Sequence, residues 1–281
     1  MTEALSSPHN PRVRAAAALR DRRGRETAAR IIIDGGREVL RALEAGVPVE
    51  TLFVVEDGCR TADCHEALDL ARRRRIEIVP LAERAFEKVA FGDRSDGIVA
   101  VAPTPETPLA RVTVPADPLI VVLEGVEKPG NLGAVLRSAD GAGADALLVT
   151  GQGVDVWNPN AIRASLGTIF RMPVATASAS EALAWLRDRS IRVIAARVDA
   201  EQEYTEADLR GPLAIALGSE AAGLSEVFGA DAVENVRLPM HGAADSLNVS
   251  VAAAVLLYEA RRQRGAPPGP RRAASHHANP T

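Results

Sequence analysis

At 281 residues the chain is long enough for two modest domains. Its hydrophobic fraction of 47% is that of a globular protein, and the absence of any unbroken apolar run of about 20 residues excludes a membrane-spanning helix. The formal net charge of −4 hides an uneven distribution, with seven arginines between His9 and Arg30 against Asp21 and Glu26. A second basic run covers Arg72 to Arg75. Arginine outnumbers lysine 31 to 2, so the clustering carries more information than the count. A basic arm on a mildly acidic protein suits docking on phosphate, with a solvated helix face as the plain alternative. The N-terminal MTEALSSPHNPRVR lacks the apolar core of a signal peptide, which makes a cytoplasmic location the expectation. Cys59 and Cys64 lie in a mixed polar segment without histidine at metal spacing, so neither a disulfide nor a zinc site is expected.

In chain order, Asn10 to Arg23 reads as one helix behind Pro11. Ile31 to Ile33 is a short strand, Glu38 to Ala45 a helix, and Leu52 to Val55 a buried strand. Ala67 to Arg74 is a helix, Ile76 to Pro80 a strand, Glu83 to Val89 a short helix, and Ile98 to Val101 a closing strand. Alternation of this kind gives a layered α/β unit over 1–102. Residues 103–118 carry Pro103, Pro105, Pro108, Pro115 and Pro118 and read as a stiff linker that spaces two domains.

The second unit, 119–265, opens with the apolar run Leu119 to Leu123. A loop, EGVEKPGNLG, covers Glu124 to Gly133, and a helix Ala134 to Ala142. Ala146 to Val149 is a strand, and Ala161 to Gly167 starts a helix. Val174 precedes a helix over Glu181 to Arg189. Val193 to Ala196, Leu213 to Leu217 and Val236 to Leu238 complete the strands. Helices between buried strands indicate a parallel sheet covered on both faces. From Ser246, the apolar positions Leu247, Val251, Ala254, Val255 and Tyr258 mark one helical face, with Ser246 as its N-cap. The tail 266–281 has no periodicity and reads as disordered; its His276-His277 pair reads as incidental, not as a metal site.

Ligands of parallel sheets sit beyond the carboxyl ends of the strands. Three loops there carry the unusual residues: Glu127 to Gly133, Gly218 to Ser225, and Met240 to Asn248. Pro129-Gly130-Asn131-Leu132-Gly133 reads as a tight turn that lets backbone approach a ligand, with Arg137 reaching back over it. Glu220 follows a buried strand between glycines. Gly151-Gln-Gly153 fails as a dinucleotide fingerprint, because the third glycine position is Val156.

Taken in order, GVEKPGNLGAVLRSADGAGAD, NPNAIRASLGTIFRMPV, IALGSEAAGLS and LPMHGAADSLNVSVAAAVLLYEA resemble the SpoU/TrmH family of RNA ribose methyltransferases within the SPOUT class. The resemblance covers nearly all of 119–264. The first hundred residues resemble that family's RNA-binding extension, an L30e-like fold, although Asp34 replaces the usual glutamate. Lys128 stands where the first motif usually has aspartate. The resemblance implies a SPOUT α/β domain with a C-terminal deep trefoil knot, a homodimer with a shared site, and no metal or membrane partner. It implies methyl transfer from S-adenosylmethionine (SAM) to a ribose 2′-hydroxyl of ribosomal RNA. The large-subunit 23S uridine enzymes, including the avilamycin-resistance type, look most similar.

Carried over by position, Asn131, Arg137, Glu220 and Asn248 form the catalytic set. Leu217, Gly218, Leu238, Met240, Ser246 and Leu247 form the cofactor shelf. Arg12, Arg14, Arg20, Arg22, Arg23 and Arg25 are the expected phosphate contacts of the basic arm. A guanidinium is not deprotonated in proteins, so Arg137 is expected to hold phosphate or a developing alkoxide. A transfer-RNA enzyme, a knotted base methyltransferase and a non-catalytic RNA-binding or ribosome-assembly protein are the rival readings.

Overall fold

The computed structural model describes residues 4–90, 96–151, 154–219, 222–229 and 233–265. The N-terminal half runs α1 (Pro11–Ala18), α2 (Arg22–Ala28), β1 (Arg30–Asp34), α3 (Gly36–Glu44), β2 (Thr51–Val54), α4 (Ala62–Arg73), β3 (Glu77–Pro80), α5 (Glu83–Val89) and β4 (Ile98–Pro103). Its sheet has the order β1-β4-β2-β3. β4 is antiparallel to both neighbours, and β2 pairs parallel with β3. Val13, Ala16 and Leu19 cover one face with Phe86 and Val89, over Ile32, Phe53 and Val99. α3 and α4 cover the other.

The single helix expected over Asn10 to Arg23 is two helices with a corner at Leu19–Asp21. Asn10 caps α1, its side chain accepting from the Arg12 N–H. The corner is held from within. Arg25 is 4% exposed, and its guanidinium donates to the carbonyls of Leu19 and Arg20, each at 2.9 Å. Cys59 and Cys64 form a disulfide, against the sequence expectation. Their Cα atoms are 5.7 Å apart where the chain turns into α4, a separation that a bridge spans.

The C-terminal half runs β5 (Leu119–Glu124), α6 (Pro129–Ala142), β6 (Ala146–Thr150), α7 (Pro159–Ala164), β7 (Val174–Ala177), α8 (Ala179–Asp188), β8 (Arg192–Ala196), β9 (Leu213–Leu217), β10 (Val233–Val236) and α9 (Val249–Gln263). The six strands are parallel in the order β10-β8-β9-β5-β6-β7. Leu119 to Leu123 are at most 2% exposed. Each such aliphatic side chain contributes about 1.5–3 kcal/mol by burial, and a sheet covered on both faces needs that continuous apolar run.

Three local expectations change. α6 begins at Pro129, so the Pro-Gly-Asn-Leu-Gly motif is a first helical turn and not a loop; proline at N1 gives up an N–H that would have had no helical partner. Gly133 then serves packing. A Cβ there would lie 2.5 Å from the Ala164 Cβ of α7. The last helix is capped by Asn248, two residues after Ser246. The last strand ends at Val236, and Arg237 only bridges to Glu203.

The two halves are packed together and not held apart by the linker. One cluster of buried residues runs from Ile31, Ile33 and Leu43 through Leu136 and Ile162 to Val121. Arg41 donates to the Leu166 carbonyl at 2.6 Å, and Arg163 meets the buried Asp34 at 3.5 Å. Burial pushes the Glu38 carboxyl up to about 6, even though Arg163 and Arg37 act to lower it; desolvation wins at this seam. Arg25 crosses to Asp155, with side-chain exposures of 5% and 22%. Exposed pairs such as Arg22–Glu26 contribute about 0–1 kcal/mol, whereas removing one partner of a buried pair costs about 3–5 kcal/mol.

The linker runs along the edge of β7. Thr176 donates to the Thr107 carbonyl at 2.9 Å, which covers an otherwise open strand edge. Among the described residues, no helix is long and apolar enough to cross a membrane. The tail 266–281 lies outside the described residues.

Candidate active site

From β5 the chain winds outward to β6 and β7, then returns to place β9 on the other side of β5. The crevice beyond the carboxyl ends of β5 and β9 is therefore the topological switch point, where such sheets bind ligands. A cavity of about 440 Å³ opens in this region, and Leu217, Gly218, Leu238, Met240, Ser246 and Leu247 all line it. Ala196 to Asp199 at the end of β8, the 218–224 loop, and Asp245, Val249 and Ala252 add to the wall. The sequence reading missed the Ala196–Asp199 segment, for which periodicity offered no signal; the segment follows a parallel strand, and applying the carboxyl-end rule to β8 as well would have found it.

Two features hold the cavity's shape. Gly218 lets two strands of backbone touch: a Cβ there would lie 2.0 Å from the Gly223 carbonyl carbon. Glu124, at the end of β5, grips the far end of the same loop. Its carboxylate accepts from the Ser225 N–H at 2.6 Å and from the Ser225 hydroxyl at 2.8 Å. Sequence reasoning missed Glu124, because its partner lies 101 residues away. Glu124→Ala is expected to weaken cofactor affinity by about tenfold, the loss of one charge-assisted contact at an exposed site. Titration calorimetry checks it, and Glu124→Gln should recover part of the loss.

Beside the cavity, the start of α6 meets the start of α9. The Asn248 Nδ2 donates to Asn131 Oδ1 at 3.2 Å. The Asn248 Oδ1 accepts from the Ser250 N–H at 3.0 Å and its hydroxyl at 2.6 Å. The two asparagines thus join the acceptor motif to the capped helix. Arg137 is not part of that contact. Six residues along α6 place it about 9 Å further on and about 120° around the axis. Its side chain is exposed, and among the described residues nothing hydrogen-bonds or ion-pairs with it. Glu220 lies outside the described residues.

Of the arm residues, Arg12, Arg14, Arg20, Arg22 and Arg23 are exposed. Arg12 forms a paired guanidinium–carboxylate contact with Glu77, which holds that carboxyl below its ordinary range. Arg22 pairs with Glu26 at 2.7 Å. Arg25 departs from the expectation of a phosphate contact: it is buried, and its donors are engaged by two carbonyls and Asp155. Among the described residues, no group of His, Cys, Asp and Glu is arranged to hold a metal ion.

The SpoU rRNA methylase family model matches residues 118–258. A 23S rRNA (uridine(2479)-2′-O)-methyltransferase of Streptomyces viridochromogenes is 34% identical over 257 residues, 88% of each chain. The chain belongs to the SpoU rRNA methylase family. The N-terminal half matches an MRM3-like substrate binding domain over 10–100. Among solved structures, an RNA 2′-O ribose methyltransferase is 42% identical with a TM-score of 0.81, covering 93% of this chain and 99% of its own. An AdoMet-bound rRNA methyltransferase from Sinorhizobium meliloti is 27% identical, with a TM-score of 0.83 over 92% of this chain and 97% of its own.

Proposed function

We propose that this SpoU-family RNA methyltransferase transfers a methyl group from SAM to the ribose 2′-hydroxyl of a uridine in 23S rRNA. One observation carries the reading: the six shelf residues line a single cavity at the switch point, beside the Asn131–Asn248 contact. The cavity suits the cofactor in chemistry as well as place. Leu217, Leu238 and Val249 offer apolar walls for a purine, and the chain around Gly218 and Ser246 offers backbone donors and acceptors. When bound, SAM supplies an electrophilic methyl on a sulfonium. The chain's own residues do the rest. Asn131 and Asn248 orient the acceptor ribose, and Arg137, protonated throughout, stabilises negative charge on the 2′-oxygen as its proton passes to solvent water. Glu220 is assigned to the same polar network by its place in the motif.

In this reading 1–102 binds RNA, 103–118 links, and 119–265 performs transfer in the cytoplasm. Arg12, Arg14, Arg20, Arg22 and Arg23, all exposed, supply the phosphate contacts. The arm carries no aromatic residue for base stacking, so it positions the RNA and does not read it. Uridine is favoured because the 34% identical relative is a uridine enzyme. The trefoil threading belongs to the proposal; β10 lies outside β8, and the chain then returns to α9. A role in avilamycin resistance would show as raised drug tolerance on expression.

We assign the outer face of α9 to a second copy of the chain. Val251 and Tyr258 lie seven residues apart on one helical face and are 48% and 54% exposed. Tyr258→Asp is expected to shift the dimer to monomer, since an unpaired charge at an apolar interface core costs about 2 kcal/mol or more. Light scattering after gel filtration checks this.

The functional test is labelled-methyl transfer to 23S rRNA, 16S rRNA and transfer-RNA transcripts, and to large-subunit particles, followed by nucleoside mass spectrometry. 2′-O-methyluridine in 23S rRNA supports the proposal. 2′-O-methylguanosine would correct the base, and label confined to transfer RNA would overturn the substrate.

A further inference from the structure

We propose that Arg25 and Asp155 are a positioning pair that fixes the basic arm relative to the acceptor site. The proposal rests on the RNA-methyltransferase reading above. Arg25 sits within the cluster that reads as phosphate-binding, yet the residue is 4% exposed and its guanidinium is turned inward. One nitrogen, Nη1, holds the α1–α2 corner through the Leu19 and Arg20 carbonyls, each at 2.9 Å. The other, Nη2, meets Asp155 Oδ2 on the loop between β6 and α7. A single planar fork thus ties the arm to itself and to the catalytic half, a geometry that lysine does not reproduce.

From Asp155 the connection continues to the acceptor site. Its Oδ2 also accepts from the Asn158 Nδ2 at 3.1 Å. Asn158 caps α7, its Oδ1 accepting from the Asn160 N–H at 2.9 Å. α7 lies against Gly133 of α6, so closely that a Cβ would come within 2.5 Å of Ala164. α6 carries Asn131 and Arg137. Every link is a packed or hydrogen-bonded contact, so the place at which the arm grips phosphate is in register with the place at which the ribose reacts. Misplacement by about 1 Å is enough to cost about 100-fold in a positioned reaction.

The test uses Asp155→Ala in the full chain, because the arm keeps both carbonyl bonds to Arg25. Two RNAs are compared: a 23S fragment with helices flanking the target, and a minimal hairpin holding the target alone. The expected result is a KM for the long fragment raised by about tenfold or more, with hairpin kinetics and SAM affinity within about twofold. Arg14→Ala should raise the long-fragment KM in the wild-type background and add little in the Asp155→Ala background, since contacts that act as one unit are not additive. Asp155→Glu should restore part of the difference. Equal losses on both RNAs, or full additivity with Arg14→Ala, would overturn the pair's positioning role. Hydrogen exchange at the arm is measured in parallel. Faster exchange over α1 and α2 in Asp155→Ala supports the tie, and unchanged exchange contradicts it. If the wild-type chain methylates no RNA, the enzymatic reading fails while the exchange result still decides the tie.

Discussion

Arg137→Ala is expected to lower methyl transfer by about 10²–10³-fold or more, the scale of losing one charge-stabilising donor, while SAM affinity stays within about twofold. The separation follows from place. Arg137 lies outside the cavity lining, and its side chain is exposed on α6, so alanine leaves no buried void and suits the helix. What disappears is the guanidinium charge that the proposal assigns to the reacting ribose. Arg137→Lys should recover little, because an ammonium lacks the planar fork that spans phosphate or two oxygens. Single-turnover rates at saturating RNA, set beside calorimetric SAM binding, check both halves. Loss of SAM binding in Arg137→Ala would show that the arginine belongs to the cofactor site and would sink its assigned role.

Gly218→Ala is expected to do the reverse. The added Cβ would lie 2.0 Å from the Gly223 carbonyl carbon, 2.2 Å from its oxygen and 2.3 Å from the Leu224 nitrogen. All three neighbours are backbone, so no side chain can swing aside, and the 218–224 turn must open. Overpacking of this kind costs about 1–3 kcal/mol, which corresponds to about 5–150-fold in affinity if it falls wholly on the cavity wall. SAM binding should therefore weaken by that factor, with the rate at saturating SAM less affected. Gly130→Ala is the control. Nothing lies within 4 Å of a Cβ there, so binding should be unchanged.

The buried strands were legible in the sequence because a sheet covered on both faces requires short unbroken apolar runs, as in Leu119–Leu123 and Leu213–Leu217. Helix ends were less so. Pro129-Gly130 reads as a breaker, yet proline at the first helical position loses nothing and the helix starts there. Ser246 and Asn248 are both good caps, and local chemistry does not choose between them; the contact with Asn131 coincides with the one adopted. Arg25 reads as one more arm arginine, since nothing local tells an outward guanidinium from one that turns to Asp155, 130 residues away. Glu124 was missed for the same reason. The six shelf residues came from the ordered motifs and not from periodicity, and the lining after β8 was missed, because a site assembled from loops after β8, β9 and β10 has no local repeat to reveal it.

Alkaline hydrolysis of 23S rRNA labelled by this chain from methyl-labelled SAM tests the central claim most directly. Cleavage by alkali needs a free 2′-hydroxyl, so ribose methylation leaves the label in alkali-resistant dinucleotides. That is the predicted result. Label recovered in ordinary mononucleotides would mean that a base is methylated, and would contradict the assignment of Asn131, Arg137 and Asn248 to a ribose acceptor.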